Sequence, residues 1–257
     1  MGCECLQIFV GSPRSWAPTV FPEADLERFR SLRAELDLDP VTIHASYLIN
    51  LASANSEFRH RSLDKLLETV RHGSELGASD IIFHIGSHQG DGVEAGFERI
   101  LSSLSLILET TSETRITLEP SAGGGHHIGW QLIELASLLD ALGDSKRIGV
   151  CLDTAHLFAT GVDLRDPKIF DDLLAEFDAL IGLKRLTVLH LNDSKAALGS
   201  KRDRHDNIGE GQLGLETFRH ILNHPRLQAL PAIMETPGFA EPGSNARNIE
   251  LMNSLRS

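Results

Sequence analysis

The stretch Ile148-Gly-Val-Cys-Leu-Asp153 is a short apolar run that ends on a carboxylate, and Thr-Ala-His156 follows it at once. Apolar residues at successive positions are typical of a parallel strand that is covered on both faces. Similar runs recur along the chain, separated by segments whose apolar residues have helical spacing. Strands that alternate with helices predict repeated βαβ units built on a parallel sheet.

The alternation extends over the whole chain. The predicted strands are Leu6–Val10, Val41–His44, Asp80–His84, Arg115–Glu119, Ile148–Asp153, Leu186–Asn192 and Leu230–Glu235. The predicted helices are Ala24–Leu36, Arg61–Leu76, Gly96–Thr110, Gly129–Leu142, Pro167–Ile181, Gly214–Leu222 and Ser244–Leu255. An open doubly wound sheet and a closed barrel both fit this pattern. The first strand lacks the glycine-rich turn of a nucleotide-binding sheet, so the barrel is favoured.

A TIM-type (β/α)8 barrel has eight βα units, and this sequence shows one fewer. The length of 257 residues suits one barrel domain over residues 1–257. The composition, with 41% hydrophobic and 23% charged residues, is that of an ordinary globular protein. No apolar run approaches the roughly 20 residues that span a bilayer, and the N-terminus lacks the basic flank of a signal peptide.

Charge and cysteine content bear on location and partners. The three cysteines fit a reducing compartment, so we expect a cytoplasmic protein, associated with the nucleoid if the source is bacterial. The net charge of −12 argues against a nucleic-acid partner. Bound divalent cations would make the local charge of the site positive, and the objection to a nucleic-acid partner would then no longer hold.

Most of the predicted strands end on, or close to, a residue that can bind a metal. These residues are His44, His84, Glu119, Asp153, His190 and Glu235. In a TIM barrel the carboxyl ends of the strands converge on the active site. Buried imidazoles and carboxylates are costly unless they pair with one another or bind a cation. The pattern therefore predicts a metal site at this face.

Further candidate ligands lie close to these strand ends. Asp153-Thr-Ala-His156 places a carboxylate and an imidazole three residues apart, and Asp203-Arg-His205 places another pair two apart. Imidazole with carboxylate is the ligand set of zinc, and also of manganese or iron. Nine candidate ligands exceed the three or four of a site with one metal, so two or three metals are expected.

The candidate ligands fall within longer motifs. These are His44-Ala-Ser-Tyr-Leu-Ile-Asn50, Phe83-His84-Ile-Gly-Ser-His88, Cys151-Leu-Asp-Thr-Ala-His156, His190-Leu-Asn-Asp-Ser-Lys195, Gly199-Ser-Lys-Arg-Asp-Arg-His-Asp-Asn-Ile-Gly-Glu-Gly211 and Met234-Glu-Thr236. Together they resemble the endonuclease IV type of apurinic/apyrimidinic (AP) endonuclease, over nearly the whole chain. All nine metal-ligand positions of that family are filled.

The resemblance distributes the ligands over three zinc ions, with manganese an alternative at one of them. They are His44, His84 and Glu119 for the first; Glu119 (bridging), Asp153, His190 and Glu235 for the second; and His156, Asp203 and His205 for the third. It also implies catalytic roles for Glu119 and Glu235. The implied reaction is hydrolysis of the phosphodiester 5′ to an abasic site in double-stranded DNA by a metal-bound hydroxide. The products are a 3′-hydroxyl and a 5′-deoxyribose phosphate, and a monomer is expected.

Residues for DNA binding are implied in the loops. By resemblance, Arg14, Tyr47 and Leu48 enter the duplex at the abasic site, which is easier to open than an intact base pair. A basic cluster stands out in this acidic chain and brackets two of the candidate ligands. Its members, Lys195, Lys201, Arg202 and Arg204, are predicted to contact phosphates.

One departure from the family leaves alternatives open. The segment Cys3–Phe9 resembles the second strand of the family, so the first βα unit does not precede it. We expect a chain that binds metal but is less stable than a full-length relative. A truncated DNA-damage-binding protein without activity is one alternative. A sugar isomerase or epimerase on the related metal-dependent barrel is the other, and it needs only one or two metals.

Overall fold

The computed structural model describes residues 2–111, 114–143, 145–238 and 244–256. The chain divides into two compact units. The first unit comprises Glu4–Pro120 and Gly125–Val150, and the second comprises Met1–Cys3, Ser121–Gly124 and Cys151–Ser257.

The elements alternate as strands and helices along the chain. The strands are β1 (Leu6–Ile8), β2 (Val41–His44), β3 (Asp80–His84), β4 (Arg115–Glu119), β5 (Ile148–Asp153), β6 (Leu186–His190), β7 (Asp193–Ser194), β8 (His205–Asp206) and β9 (Ala232–Ile233). The helices are α1 (Glu23–Glu35), α2 (Ser56–Leu76), α3 (Val93–Thr110), α4 (Leu132–Ala141), α5 (Thr154–Thr160), α6 (Pro167–Leu180), α7 (Leu215–Leu222) and α8 (Ser244–Leu255).

The first unit is built on a parallel sheet in which β1, β2, β3, β4 and the first half of β5 are neighbours in that order. Ile43, Ile81 and Ile116 lie on successive strands and are fully buried. A parallel sheet that is covered by helices needs such apolar strands. The register pairs His84 with Glu119, so these two strands end side by side.

In the second unit β6 lies between β5 and β9, and it pairs with β9 in parallel through Leu189 and His190. The short strands β7 and β8 pair antiparallel, with Asp193 opposite Asp206. Helix α5 begins immediately after β5, because the side chain of Asp153 caps it. The carboxylate accepts hydrogen bonds from backbone N–H groups in the first turn of the helix, which would otherwise lack partners.

Local sequence signals set the ends of the longest helix. Asn55 caps the N-terminus of α2, because its side chain accepts a hydrogen bond from the backbone N–H of Phe58 at 2.9 Å. Gly77 ends the helix in the left-handed conformation, with φ of 70°, which a residue without a Cβ adopts at low cost. The two ends of helix α2 are therefore set by Asn55 and Gly77.

The predicted parallel βα pattern is confirmed, and the bounds of β2, β3, β4 and β5 match the prediction. Three predicted strands are longer than the observed ones, which are β1, β6 and β9. Helix α5 and the β7–β8 pair were not predicted. Within the described ranges, no helix is long and apolar enough to cross a membrane. The single-domain assignment for residues 1–257 stays a prediction.

Candidate metal centre

Three potential ligands of the first unit converge at the ends of neighbouring strands. His44 ends β2, His84 ends β3 and Glu119 ends β4. One ring nitrogen from each imidazole and one carboxylate oxygen lie within 4.8 Å of one another. Oε2 of Glu119 is 3.2 Å from Nε2 of His44 and 3.9 Å from Nδ1 of His84. These three residues can hold one metal ion.

The imidazole of His44 is oriented as a metal ligand. Its Nδ1 lies 2.7 Å from the carbonyl oxygen of Ala45, which can only accept, so Nδ1 carries the hydrogen. In the neutral ring Nε2 then bears a lone pair, and it faces Oε2 of Glu119. Two acceptors at this distance repel each other unless a proton or a metal ion lies between them. Metal-bound histidines commonly donate their second ring N–H to a backbone carbonyl in this way.

The second unit contains a separate set of potential ligands. Asp153 ends β5, His156 lies in the first turn of α5, and His205 lies on β8. One ligand atom from each of these residues lies within 4.8 Å of the other two. Asp203 joins them, with its carboxylate oxygens 3.4 Å from Nε2 of His156 and 3.1 Å from Nε2 of His205.

His205 repeats the orientation of His44. Its Nδ1 lies 3.2 Å from the carbonyl oxygen of Glu235, so Nε2 faces carboxylate oxygens of Asp203 and Asp153. Burial lowers the pKa of His205, but the charge of Asp153 and the contact with Asp203 outweigh burial and raise the pKa to about 9. Without a metal ion, a proton on Nε2 therefore takes the place that a cation would occupy.

The neighbouring histidines also shift the pKa of the Asp203 carboxyl group. Burial raises the pKa of its carboxyl group, but the hydrogen bonds and charges of His156 and His205 outweigh burial and hold the pKa well below its usual range. The carboxylate is therefore ionised near neutral pH. An ionised carboxylate beside two imidazole nitrogens is a ready donor set for a divalent cation.

Asp153 uses its two oxygens differently. Oδ1 accepts hydrogen bonds from the backbone N–H groups of Ala155 and His156, at 2.7 and 3.1 Å, which fixes the carboxylate at the start of α5. Oδ2 faces Nε2 of His205 at 3.6 Å and Nδ1 of His190 at 3.9 Å. One carboxylate thus serves as a helix cap and as a potential ligand.

His190 and Glu235 complete the potential ligands of the second unit. His190 is fully buried at the end of β6, and its Nδ1 lies 3.2 Å from Oε2 of Glu235. Asp153, His190 and Glu235 each offer one ligand atom within 4.8 Å of the others. His190 and Glu235 are far apart in sequence, and the parallel pairing of β6 with β9 brings them together.

A residue that sequence reasoning gave no role, Asn192, holds two of these ligands in place. Its Nδ2 donates to Oδ2 of Asp153 at 2.6 Å, and its Oδ1 accepts from the backbone N–H of Glu235 at 2.6 Å. Asn192 is fully buried, and its backbone exchanges hydrogen bonds with the hydroxyl of Thr154. Its place in the His190-Leu-Asn motif was the only sequence signal for this role.

The donor chemistry fits zinc. Imidazole nitrogen and carboxylate oxygen are zinc donors, and separations of 3.1–3.9 Å between donor atoms suit atoms that each lie about 2 Å from a common ion. The nine ligands expected from the sequence all belong to such sets within one unit or the other. Each unit contains a histidine whose second ring nitrogen is oriented by a backbone carbonyl.

The aromatic and apolar residues predicted to enter DNA lie in the first unit. Tyr47 is 51% exposed and stacks at an angle on the ring of His44, with the ring centroids 5.4 Å apart. Leu48 is half-buried, and Arg14 is exposed. The backbone N–H of Tyr47 donates to the carbonyl of Pro13 at 3.1 Å, so the two loops that carry these residues adjoin.

The predicted basic cluster lies in the second unit and is exposed. Its members are Lys195, Lys201, Arg202 and Arg204. The backbone N–H of Lys195 donates to the carbonyl of Arg204, which brings the two ends of the cluster together. Nζ of Lys195 also lies 3.5 Å from Oδ1 of Asp206, and the Lys195 side chain remains 54% exposed although Asp206 is largely covered.

Parallel βα units whose strands end on imidazole and carboxylate donors are typical of α/β-barrel proteins with a metal site at the strand ends. Residues 1–256 match the family model for the xylose isomerase-like TIM barrel. A protein of Halothermothrix orenii named probable endonuclease 4 is 38% identical over 257 residues, which cover all of this chain and 91% of that protein. The chain therefore belongs to the endonuclease IV-type family of AP endonucleases, and it has the TIM-barrel fold.

Solved structures agree with this assignment. The crystal structure of endonuclease IV from Thermus thermophilus matches with a TM-score of 0.85 and 35% identity, over 99% of this chain and 89% of that one. A D-tagatose 3-epimerase-like protein matches with a TM-score of 0.73 at 18% identity, over 98% of this chain and 88% of that one. The second likeness shows the shared fold alone.

Proposed function

We propose that the chain hydrolyses the phosphodiester bond 5′ to an abasic site in double-stranded DNA, leaving a 3′-hydroxyl and a 5′-deoxyribose phosphate. The observation that carries this proposal is the matching orientation of His44 and His205, one in each unit. Each donates Nδ1–H to a backbone carbonyl and turns Nε2 toward a carboxylate. Because the chain belongs to a family of AP endonucleases, histidines oriented in this way support a metal centre that hydrolyses DNA, and they favour it over a purely structural metal site.

Three zinc ions are proposed, with manganese an alternative at one of them. The proposed ligands are His44, His84 and Glu119 for one ion, Asp153, His190 and Glu235 with Glu119 for a second, and His156, Asp203 and His205 for a third. Bound zinc supplies Lewis acidity and lowers the pKa of water, which makes a nucleophile available near neutral pH. Glu119 and Glu235 are proposed as the catalytic carboxylates, and buried Asn192 orients Asp153 for its role.

Lesion recognition is proposed for three side chains in loops of the first unit and for the basic cluster of the second. Arg14, Tyr47 and Leu48 would enter the duplex where a base is missing, because opening the stack costs least at that point. The exposed cations Lys195, Lys201, Arg202 and Arg204 would contact phosphates and offset the net charge of −12. The cytoplasmic location, the association with a nucleoid and the monomeric state stay predictions.

The proposal is tested with a duplex oligonucleotide that carries one stable abasic analogue. An undamaged duplex and a sample stripped by a chelator are run in parallel. We expect cleavage just 5′ of the analogue, no cleavage of the undamaged duplex, and loss of cleavage after chelation. A protein that melts cooperatively and binds zinc, yet leaves the abasic duplex intact, would show that the proposed function is wrong.

A further inference from the structure

Helix α2 presents three ionisable side chains on one face. Lys65, Glu68 and His72 are spaced by three and four residues, so they lie above one another on the helix. Lys65 is 7% exposed and His72 is 2% exposed, and Glu68 is also largely covered. Such residues are rarely buried unless their polar atoms have partners, because removing them from water is costly.

The partners of these side chains are backbone atoms of the segment between β1 and α1. Lys65 Nζ donates to the carbonyl of Ala17 at 2.9 Å. Oε1 of Glu68 accepts from the backbone N–H of Thr19 at 2.7 Å. Nε2 of His72 lies 3.0 Å from the carbonyl of Thr19. The backbone from Ala17 to Thr19 is thus held by three side chains of one helix.

Carboxylates of the same helix contact Lys65 and His72 as well. Lys65 Nζ lies 3.2 Å from Oε1 of Glu68, and Nδ1 of His72 lies 2.8 Å from Oε2 of Glu75. Hydrogen bonds to charged groups are stronger than those between neutral groups. These contacts therefore restrict the conformations of the Lys65 and His72 side chains that hold the segment.

Aromatic contacts extend the same attachment in both directions. The ring of Trp16 meets the ring of Phe58 edge-on, with centroids 5.3 Å apart, and the guanidinium of Arg61 lies 4.8 Å from the Trp16 centroid. Phe21 meets the ring of His72 edge-on at 4.9 Å. Helix α2 therefore contacts this segment from Trp16 to Phe21.

The segment is joined to the loop that carries Tyr47 and Leu48. The carbonyl of Pro13 accepts from the hydroxyl of Ser46 at 2.8 Å and from the backbone N–H of Tyr47 at 3.1 Å. Arg14 directly follows Pro13 and is exposed. The position of one loop thus depends on the position of the other.

We propose that Lys65, Glu68 and His72 are positioning residues for lesion recognition. They fix the backbone from Ala17 to Thr19 on α2, and the Pro13 carbonyl joins this segment to Tyr47. Arg14 and Tyr47 are then presented together before DNA binds, which lowers the entropic cost of forming the complex. This inference rests on the proposed function, because it assigns a purpose to the orientation of those two residues.

The test uses two variants that remove a contact to the segment and keep the shape of the side chain, Lys65→Met and His72→Phe. Asp64→Asn is the matched control, since Asp64 is exposed on the same helix. With the abasic duplex we expect each variant to raise KM by about tenfold, close to the contribution of one hydrogen bond. The kcat at saturating DNA and the zinc content should stay at wild-type values, as should all properties of the control.

A second readout does not depend on cleavage. In a Trp130→Phe background Trp16 is the remaining tryptophan, and its quenching by acrylamide reports the exposure of the segment. We expect quenching to rise in both variants and to stay unchanged in the control. Wild-type quenching in both variants would overturn the attachment of the segment to α2. Raised quenching with wild-type KM and kcat would overturn its role in recognition, whereas a wild-type protein that fails to cleave would overturn the proposed function instead.

Discussion

Nδ1 of His205 lies 3.2 Å from the carbonyl oxygen of Glu235, and this contact turns the other ring nitrogen toward the carboxylate of Asp203. The backbone of one proposed ligand thus orients the side chain of another. Because both residues lie in the second unit, this part of the proposed centre is preorganised within it. The same arrangement links His44 with the carbonyl of Ala45 in the first unit.

Replacing His205 tests this arrangement. We predict that His205→Ala loses one of three zinc ions and lowers kcat by more than about 100-fold, beyond the 10–100-fold that loss of an outer-shell partner costs. Metal analysis by mass spectrometry and single-turnover cleavage measure the two effects. His60→Ala is the control, because His60 is exposed on α2. Retention of three zinc ions by the His205 variant would exclude this residue as a ligand.

Asn192 provides a second prediction. Asn192→Ala removes the donor to Asp153 and the acceptor for the backbone of Glu235, so zinc affinity should fall by about 10–100-fold while the ligands themselves stay in place. Competition with a chromogenic chelator measures this affinity. Asn223→Ala is the control, because the Asn223 side chain also makes two hydrogen bonds, which Nδ2 donates to the carbonyls of Arg219 and Leu255 at the end of α7. Unchanged zinc affinity in the Asn192 variant would contradict the positioning role.

Removal of metal should lower the thermal stability of the protein. The proposed ligands bring several carboxylates together, and bound cations would offset their mutual repulsion. A zinc concentration about 1,000 times Kd adds about 4 kcal/mol of folding free energy, which corresponds to a Tm shift of about 10 °C for a protein of this size. Calorimetry with and without chelator measures the shift, and added zinc should reverse it. Equal Tm values would mean that folding does not depend on these ions.

Tyr47 should affect recognition and not metal binding. Tyr47→Ala removes an exposed ring that is proposed to enter the DNA, so we predict that KM for the abasic duplex rises by about tenfold or more. Tyr47→Phe keeps the ring and should stay close to wild type. Zinc content and Tm are the internal controls, since the carbonyl of Ala45, and not the Tyr47 ring, sets the orientation of the neighbouring His44 imidazole. A wild-type KM for Tyr47→Ala would remove this residue from the recognition surface.

The strands that could be predicted to the residue are those that are apolar on both faces and end on a ligand, such as Asp80–His84 and Ile148–Asp153. The last strand was predicted too long. It covers only Ala232–Ile233, and its late start follows from Pro231, which has no N–H to donate to a neighbouring strand. Helix α5 was missed because its residues are almost all buried, so no polar face alternates with an apolar one.

The proposed ligands were accessible to sequence reasoning, whereas the groups that orient them were not. His44 and Glu119 are recognisable because their residue types occur at strand ends. The roles of Asn192, Lys65 and Glu68 depend on which backbone atoms face them after folding. Those partners are as far as 48 residues away for Lys65 and 49 for Glu68, and no local pattern marks them.

A reconstitution titration tests whether zinc ions held by the proposed ligands are required for the cleavage. Protein stripped of metal is given zinc in increasing amounts, and cleavage of the abasic duplex is measured against the zinc bound per chain. We predict that cleavage is weak until the proposed sites are filled and reaches its maximum near three zinc ions per chain. Full cleavage by the stripped protein, or binding of three zinc ions without any cleavage, would contradict this prediction.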